Sequence, residues 1–335
     1  MVVVSVIEEY HEVALGRNFR YAKTMKVSFN QPYEQVKDNN GYGYAAKMCK
    51  ESLVTLGHEV GWKDPTADVE INFIQPENWL WSGVDYRIGY VPWESTKFKD
   101  GWVDQMNEVD EMWTPSPWCA EVMEENGVKV PIKVYQHGVD PIWSPKRRSP
   151  EGCFDILHHG AEALRKGGND AIKSFMDTLW DDNSILHIKM LLQRFNIINS
   201  DHIWIYKSKM PIEELVGLYH RMDLFFYPSY GEGFGLTPLQ AMATGMPVLT
   251  TGGWAPYAHY LGTQNTIDWE YIDSPWPDIH PGQVMKPNMD DMQDKLRWHY
   301  DNREFETATA WALQEQVRKE YDWVAMTREA FAHLV

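Results

Sequence analysis

The sequence predicts an α/β fold built from two doubly wound halves, each a parallel sheet with helices on both faces. Three observations carry that expectation. From Lys26 onward, short apolar runs alternate with amphipathic segments of helical spacing. The alternation breaks once, at a polar stretch near the middle, and then restarts. Glycine-rich turns stand between several apolar runs and the helical segments that follow them. The 335 residues suffice for roughly two domains.

The elements follow in order. MKVSFN is a short strand. DNNGYGYAAKMCKESLVTLGHEV is a glycine-containing turn and then an amphipathic helix, which ends at Gly57 and enters HEVGW. DVEINFI and DYRIGYV are candidate buried strands. In VDEMWTPSPWCAEVMEENGV a strand and a turn lead into a helix. Ser116 or Thr114 can cap it, Pro117 suits the first helical position, and Gly127 stops it. KVPIKVYQHGVDP is a strand running into a turn. From Ile142 to Gly152 prolines and basic residues crowd a polar stretch, which reads as the inter-domain linker.

Beyond it, CFDILHHG, SILHIKML, HIWIYK, DLFFYPS and MPVLTTGG are strands, and NDAIKSFMDTLW, PIEELVGLYHRM and TPLQAMATG are helices. From about Asp290 the chain is helical to its end. Two such halves place the default ligand site in the cleft between them, beyond the carboxyl ends of the strands.

Composition narrows the function. The net charge of −17 argues against general nucleic-acid binding, which needs a basic patch to displace counterions. No apolar run approaches the ~20 residues of a membrane span, and the opening MVVVSVIEEYHE lacks a basic leader. Three scattered cysteines without CxxC read as thiols of a reducing compartment, so a cytoplasmic location is expected. Most of the sixteen tryptophans are assigned to core packing.

Three turns carry candidate chemistry. The run from Phe225 ends in Pro228-Ser229, and Glu232 then sits among Gly231, Gly233 and Gly235. A helix is expected from Thr237, with Thr237 and Gln240 forming a capping box. Open N–H groups at that helix start suit an anion, and glycines let a ligand approach the backbone. Glu232 suits hydroxyls, so a ligand with both phosphates and hydroxyls fits. The competing reading is a tight turn with an incidental glutamate. The second turn holds Arg165 and Lys166 after a strand and offers two cations to a diphosphate, or only a solvated basic turn. The third holds Gly41, Tyr42 and Gly43 and is not GxGxxG. Of His158 and His159, at most one reaches a ligand, since strand neighbours face opposite ways. Glu94 enters the cleft or lies in a surface turn. No Asp-x-Asp, HExxH, Cys/His cluster or GxSxG occurs.

The run PSYGEGFGLTPLQAMATGMPV resembles the signature of the large retaining glycosyltransferase family with the GT-B fold, the group 1 or family 4 type. Its pattern is P-S, E-G-F-G-L, E-A-M-A, G and P-V. It is matched by Pro228, Ser229, Glu232, Gly233, Phe234, Gly235, Leu236, Ala241, Met242, Ala243, Gly245, Pro247 and Val248. GYGYAAKMCKESLVTLGHEV, VYQHGVDPIWSP, GAEALRKGGNDAIKSF and YDWVAMTREAFAHL resemble further parts of it, so the resemblance covers about Lys26 to Leu334.

The resemblance implies residues 1–145 as an acceptor-side domain, joined by a terminal helix over about 320–335, and 150–315 as the donor-side domain. The implied reaction moves a hexose or pentose from a nucleotide-diphosphate sugar (UDP-, GDP- or another) to an acceptor hydroxyl. It retains anomeric configuration and needs neither metal nor cofactor. Glu232 would hold sugar hydroxyls, and the Gly233–Leu236 backbone would line sugar and diphosphate. Lys166 with Arg165 would neutralise the leaving diphosphate. Gly160, Ser229, Phe234, Gly235, Thr237 and Gln240 would complete the donor site, and Gly41, Tyr42, Gly43 and Glu94 the acceptor or phosphate side.

Three departures stand out. Gln240 replaces the family's second glutamate, Ala161 its arginine, and no histidine follows the GYVPWEST strand, where Trp93 or Glu94 stands instead. A nucleotide-sugar epimerase, a phosphorylase or a binding subunit without turnover are the alternatives. Carbohydrate, lipid, protein and small-molecule acceptors stay open, and the charge disfavours a DNA base.

Overall fold

Strands that are apolar on both faces must be covered on both faces, which favours parallel pairing with crossover helices. The computed structural model describes residues 24–30, 41–160, 164–190 and 200–335. Among them, the first half contains β1 (Lys26–Phe29), α1 (Gly41–Thr55), β2 (Glu59–Trp62), β3 (Val69–Asn72) and β4 (Arg87–Tyr90). It continues with α2 (Trp102–Met106), β5 (Glu111–Thr114), α3 (Pro117–Glu125) and β6 (Ile132–Val134). The six strands pair in parallel in the order β2-β1-β3-β4-β5-β6.

The second half runs β7 (Phe154–His159), α4 (Gly168–Thr178), β8 (Ser184–Lys189), β9 (Ile203–Tyr206), α5 (Ile212–Arg221) and β10 (Leu224–Tyr227). Then come α6 (Leu236–Ala243), β11 (Val248–Thr251) and β12 (Thr266–Ile267). Its sheet is also parallel, in the order β12-β11-β10-β7-β8-β9. Both halves are Rossmann-like, and the α/β reading of the sequence holds.

Local chemistry explains most of the boundaries. Ser116 caps α3, its Oγ accepting from the Cys119 N–H at 3.3 Å, with Pro117 in the first turn. In the stretch expected as a linker, the Arg148 guanidinium donates to the carbonyls of Tyr219 (2.9 Å), Met222 (2.6 Å) and Thr244 (2.9 Å). It thereby satisfies last-turn carbonyls of α5 and α6 with one positive charge, on the side of the dipole where a cation stabilises.

The structure departs from the sequence reading in four places. α1 starts at Gly41, so Gly41, Tyr42 and Gly43 form its first turn and not a turn before it. The capping box does not form. Gly235, at φ 81°, is the N-cap of α6, Thr237 lies inside the helix, and Gln240 is a buried mid-helix residue. Only glycine adopts that left-handed backbone cheaply, and it moves the helix start one residue earlier. An antiparallel hairpin, β13 (Trp269–Asp273) with β14 (Gln283–Pro287), follows β12 and has no counterpart in the sequence reading. The terminal helical run is three helices, α7 (Met289–Asp301), α8 (Arg303–Glu320) and α9 (Trp323–Phe331). Asp322 caps the last, accepting from the Ala325 N–H at 2.8 Å.

Helix α9 packs into the core of the first sheet. Trp323, Ala330 and Phe331 join the cluster around Phe73, Tyr90 and Trp113, and Tyr135 shares a 2.8 Å hydrogen bond with Thr327. The chain end thus ties the second half back onto the first. Among the tryptophans, Trp113, Trp143 and Trp254 are fully buried and Trp93 and Trp102 nearly so, which supports core packing for these.

Candidate active site

The second sheet reverses direction between β7 and β10: β8 and β9 lie on one side, β10 to β12 on the other. A crevice opens beyond the strand ends at such a switch point. The two loops that leave β7 and β10 carry the charged residues singled out in the sequence. Their strands are joined by backbone pairing, and the His158 Nδ1 bonds the Phe226 carbonyl at 3.0 Å. His159 turns to the Tyr219 hydroxyl at 2.8 Å, so both histidines are committed to protein partners.

At the centre is Glu232, nearly buried. Its Oε1 accepts from the Tyr227 hydroxyl at 2.9 Å, from Ser229 Oγ at 3.0 Å and from the Lys166 ammonium. Arg165 Nη1 stands 3.7 Å from the same oxygen. Every one of these contacts ends on Oε1, which leaves Oε2 for a hydroxyl. Burial pushes the Glu232 carboxyl up. The charges of Lys166 and Arg165 and the bonds from Lys166 and Tyr227 outweigh burial and hold it below the usual carboxylate value. Burial first, and the neighbouring Arg165 second, lower the Lys166 ammonium.

Arg165 has a bracing geometry. It donates to the Gly231 carbonyl at 2.6 Å and reaches Glu94 Oε1, on the opposite half, at 3.5 Å. Glu94 thus faces Arg165 of the second half. Burial raises its carboxyl, against the pull of Arg165 and Lys166, and Glu232 adds to the rise. Glu94 Oε2 lies 3.7 Å from His280 Nδ1, and the His280 ring packs on Trp93 with centroids 5.3 Å apart. Tyr42, in the first turn of α1, donates to the Pro92 carbonyl at 3.2 Å, which brings that turn to the same loop.

The glycines of the loop serve a purpose the sequence reading did not give them. A Cβ on Gly231 would lie 2.1 Å from the Glu94 carbonyl oxygen, and one on Gly233 would lie 2.6 Å from Pro92 Cβ. They admit the facing half, not only a ligand. Gly235 faces Tyr257, whose hydroxyl donates to its carbonyl at 2.7 Å. Phe234 is buried and its ring packs against His137 of the first half and Tyr321. Leu236 and Thr237 supply N–H groups without an acceptor inside their own helix. Gly160 lies buried at the end of β7, its N–H bonded to the Lys189 carbonyl at 3.1 Å. Gly41 is exposed and Gly43 buried in α1. Ala161 lies outside the described residues.

Sequence reasoning missed Tyr227 and His280. Tyr227 is the last residue of an apolar strand and looks like core. His280 arrives from the β13–β14 hairpin, which also ties to the first half: Gln283 N–H donates to Thr96 Oγ1 at 2.8 Å and Thr96 N–H to the Gln283 carbonyl at 3.0 Å. Among the described residues, no group of three or more His, Cys, Asp or Glu side chains is placed to hold a metal ion. No helix among them is long and apolar enough to cross a membrane.

Comparison with known proteins bears on the fold and the class of enzyme. Residues 196–267 match the family model of glycosyl transferases group 1. A protein of Sulfolobus islandicus filamentous virus named as glycosyltransferase 45 is 23% identical over 87% of this chain and 90% of its own length. Anabaena Alr3699/HepE, solved with UDP and glucose, superposes with a TM-score of 0.67 at 11% identity, over 92% of this chain and 99% of that one. WaaG, a glycosyltransferase of lipopolysaccharide biosynthesis, superposes at 0.64 and 15% identity, over 91% and 98%. The fold is GT-B, and the chain is an enzyme of the glycosyltransferase class.

Proposed function

We propose that this enzyme moves a sugar from a nucleotide-diphosphate donor to an acceptor hydroxyl with retention of anomeric configuration and without a metal. In this reading residues 150–315 hold the donor, and residues 1–145, with 320–335, face the acceptor. The observation that carries it is Glu232, whose Oε1 is fixed by Tyr227, Ser229 and Lys166 at the switch point of the second sheet. Such a carboxylate is held in one orientation before any sugar arrives, with Oε2 turned to accept ring hydroxyls.

Negative charge builds on the phosphate oxygens as the bond to the anomeric carbon breaks. Lys166, Arg165 and the N–H groups at the start of α6 are the fixed dipoles and cations that stabilise it there. No side chain need act as nucleophile. The acceptor hydroxyl attacks from the face the diphosphate leaves, and the departing phosphate oxygen takes its proton. Arg165 acts partly through the loop, because its bond to the Gly231 carbonyl sets the height of Glu232. Gln240, buried in α6, accepts a ribose hydroxyl through its amide oxygen.

UDP is the first nucleotide to test, since the neighbour from Anabaena is solved with UDP and with UDP-glucose. A thermal-shift panel of UDP-, GDP-, ADP- and CMP-sugars identifies the donor, because a ligand bound only by the folded state raises its stability. Saturation at 100 times Kd adds about 2.7 kcal/mol. Transfer in EDTA, and the anomeric coupling constant of the product, then test metal independence and retention. A panel in which no nucleotide sugar shifts the melting temperature would sink the reading.

A further inference from the structure

A second cavity lies outside the cleft, behind the helix that closes the donor loop. It holds about 290 Å³ between α6, the start of β11, the turn before β12, and helices α7 and α8. That is near the lower end of the roughly 300–1,000 Å³ of small-molecule pockets. Its walls are apolar and aromatic: Met242, Met246, Leu313, Tyr260, Trp298 and Phe305. Trp298 and Phe305 meet edge to face at 6.1 Å, and Phe305 is 62% exposed at the mouth. Nothing in the donor reading uses this space.

The wall also carries a carboxylate. Glu306 is 4% exposed and lines the cavity. Its Oε2 accepts from Asn265 Nδ2 at 2.7 Å. His299 Nδ1 stands 3.6 Å from the same Oε2. The other nitrogen, Nε2, lies 3.1 Å from the Gln264 carbonyl, which assigns the ring proton to Nε2 and leaves Nδ1 a lone pair. Burial lowers the imidazole to about 4, so it is neutral at pH 7 and offers Glu306 no charge. No donor among the described residues reaches Oε1.

A carboxyl in this setting is short of positive charge. Burial raises it above the usual value, and the single amide bond from Asn265 only partly offsets that. A group that brings a full charge and its own N–H donors would restore the ionised form. Aromatic faces beside it favour a cation as well. The net charge of −17 concentrates cations near the surface.

We propose that this cavity is a binding site for a small organic ammonium ion, its nitrogen donating to Glu306 Oε1 and its apolar body lying on Met242, Met246 and Leu313 among the rings of Trp298, Tyr260 and Phe305. The site is separate from the donor cleft and does not depend on the reaction proposed above. An alcohol of the same shape fills the same volume but leaves the carboxylate without its counter-charge.

Calorimetric titration with phenethylamine and with 2-phenylethanol tests this on the whole chain. The amine should bind at least ten times more tightly than the alcohol. Glu306→Gln should reduce the amine to the alcohol's affinity and leave the alcohol within twofold. Ala310→Trp, on a residue of the cavity wall, should abolish both. Unliganded melting curves check that each variant folds, and if Ala310→Trp does not, Glu306→Gln decides alone. Equal affinity of amine and alcohol for the native chain, no amine binding at all, or undiminished amine binding in Glu306→Gln overturns the proposal. So does displacement of the amine by UDP, which would move it to the donor cleft.

Discussion

Glu232 and Glu94 face the same two cations from opposite halves of the molecule, yet their carboxyls shift in opposite directions. Both are largely buried and both lie near Arg165 and Lys166. The difference is contact. Glu232 takes hydrogen bonds from Lys166, Tyr227 and Ser229. Glu94 has Arg165 at 3.5 Å and His280 at 3.7 Å, both beyond a good bond. Burial costs a carboxylate several kcal/mol, and only short, aligned donors outweigh that. One carboxylate is therefore locked as an anion by short donors, and the other is buried between the two halves with only distant cations to offset the cost.

The largest test breaks the locked side. Lys166→Ala and Glu232→Ala should each lower turnover on the donor found by the thermal-shift panel by about 10²-fold or more. Steady-state rates at saturating donor read this out, and near-native rates in both would remove Glu232 and Lys166 from the chemistry.

Next comes the backbone that sets the lock. Gly167 sits at φ 74°, and a Cβ there would lie 1.9 Å from the Pro228 carbonyl oxygen. Gly167→Ala should destabilise the fold by more than about 2 kcal/mol, seen as a lower urea midpoint.

The third test uses pH. A carboxyl lowered on folding, as in Glu232, contributes stability that is present above its unfolded pKa and lost as pH falls through its folded one. Glu232→Gln should flatten the acid limb of the stability curve. A raised carboxyl, as in Glu94, has the opposite sign: the folded state binds the proton more tightly, so stability falls as pH rises between the unfolded and folded values. Glu94→Gln should then raise the stability at pH 7, read as a higher urea midpoint. A loss of stability at pH 7 would mean that the contact with Arg165 outweighs burial.

The smallest effect is expected at Gln240. A carboxylate there regains charge toward ribose hydroxyls but enters a buried helix position, and the two oppose each other. Gln240→Glu should change UDP affinity by less than about tenfold, measured by calorimetry.

Much of this was legible in the sequence for a physical reason. Strand and helix periods, the Ser116-Pro117 start of α3 and the glycine-rich turns are short-range chemistry, written within a few residues of where they act. The grouping of Glu232 with Lys166 in one site came from the family resemblance, and their contact is observed in the structure. The misreadings were long-range. Thr237 and Gln240 have the right spacing for a capping box, but Gly235 takes a left-handed backbone against Tyr257 and Trp254 and starts the helix itself. The role of Arg148 within the stretch read as a linker was not visible either: its guanidinium donates to carbonyls at the ends of two helices.

The sequence by itself determined the two α/β halves, the glycine-rich loop after β10 and the identity of the charged residues beside it. Only the tertiary structure decided that β7 and β10 adjoin, that Gly231 and Gly233 are small to admit Pro92 and Glu94 from the other half, and that a hairpin brings His280 to Glu94. These contacts join residues tens to hundreds of positions apart. Local propensity and spacing carry no record of such pairs, because packing between segments distant in the chain chooses them.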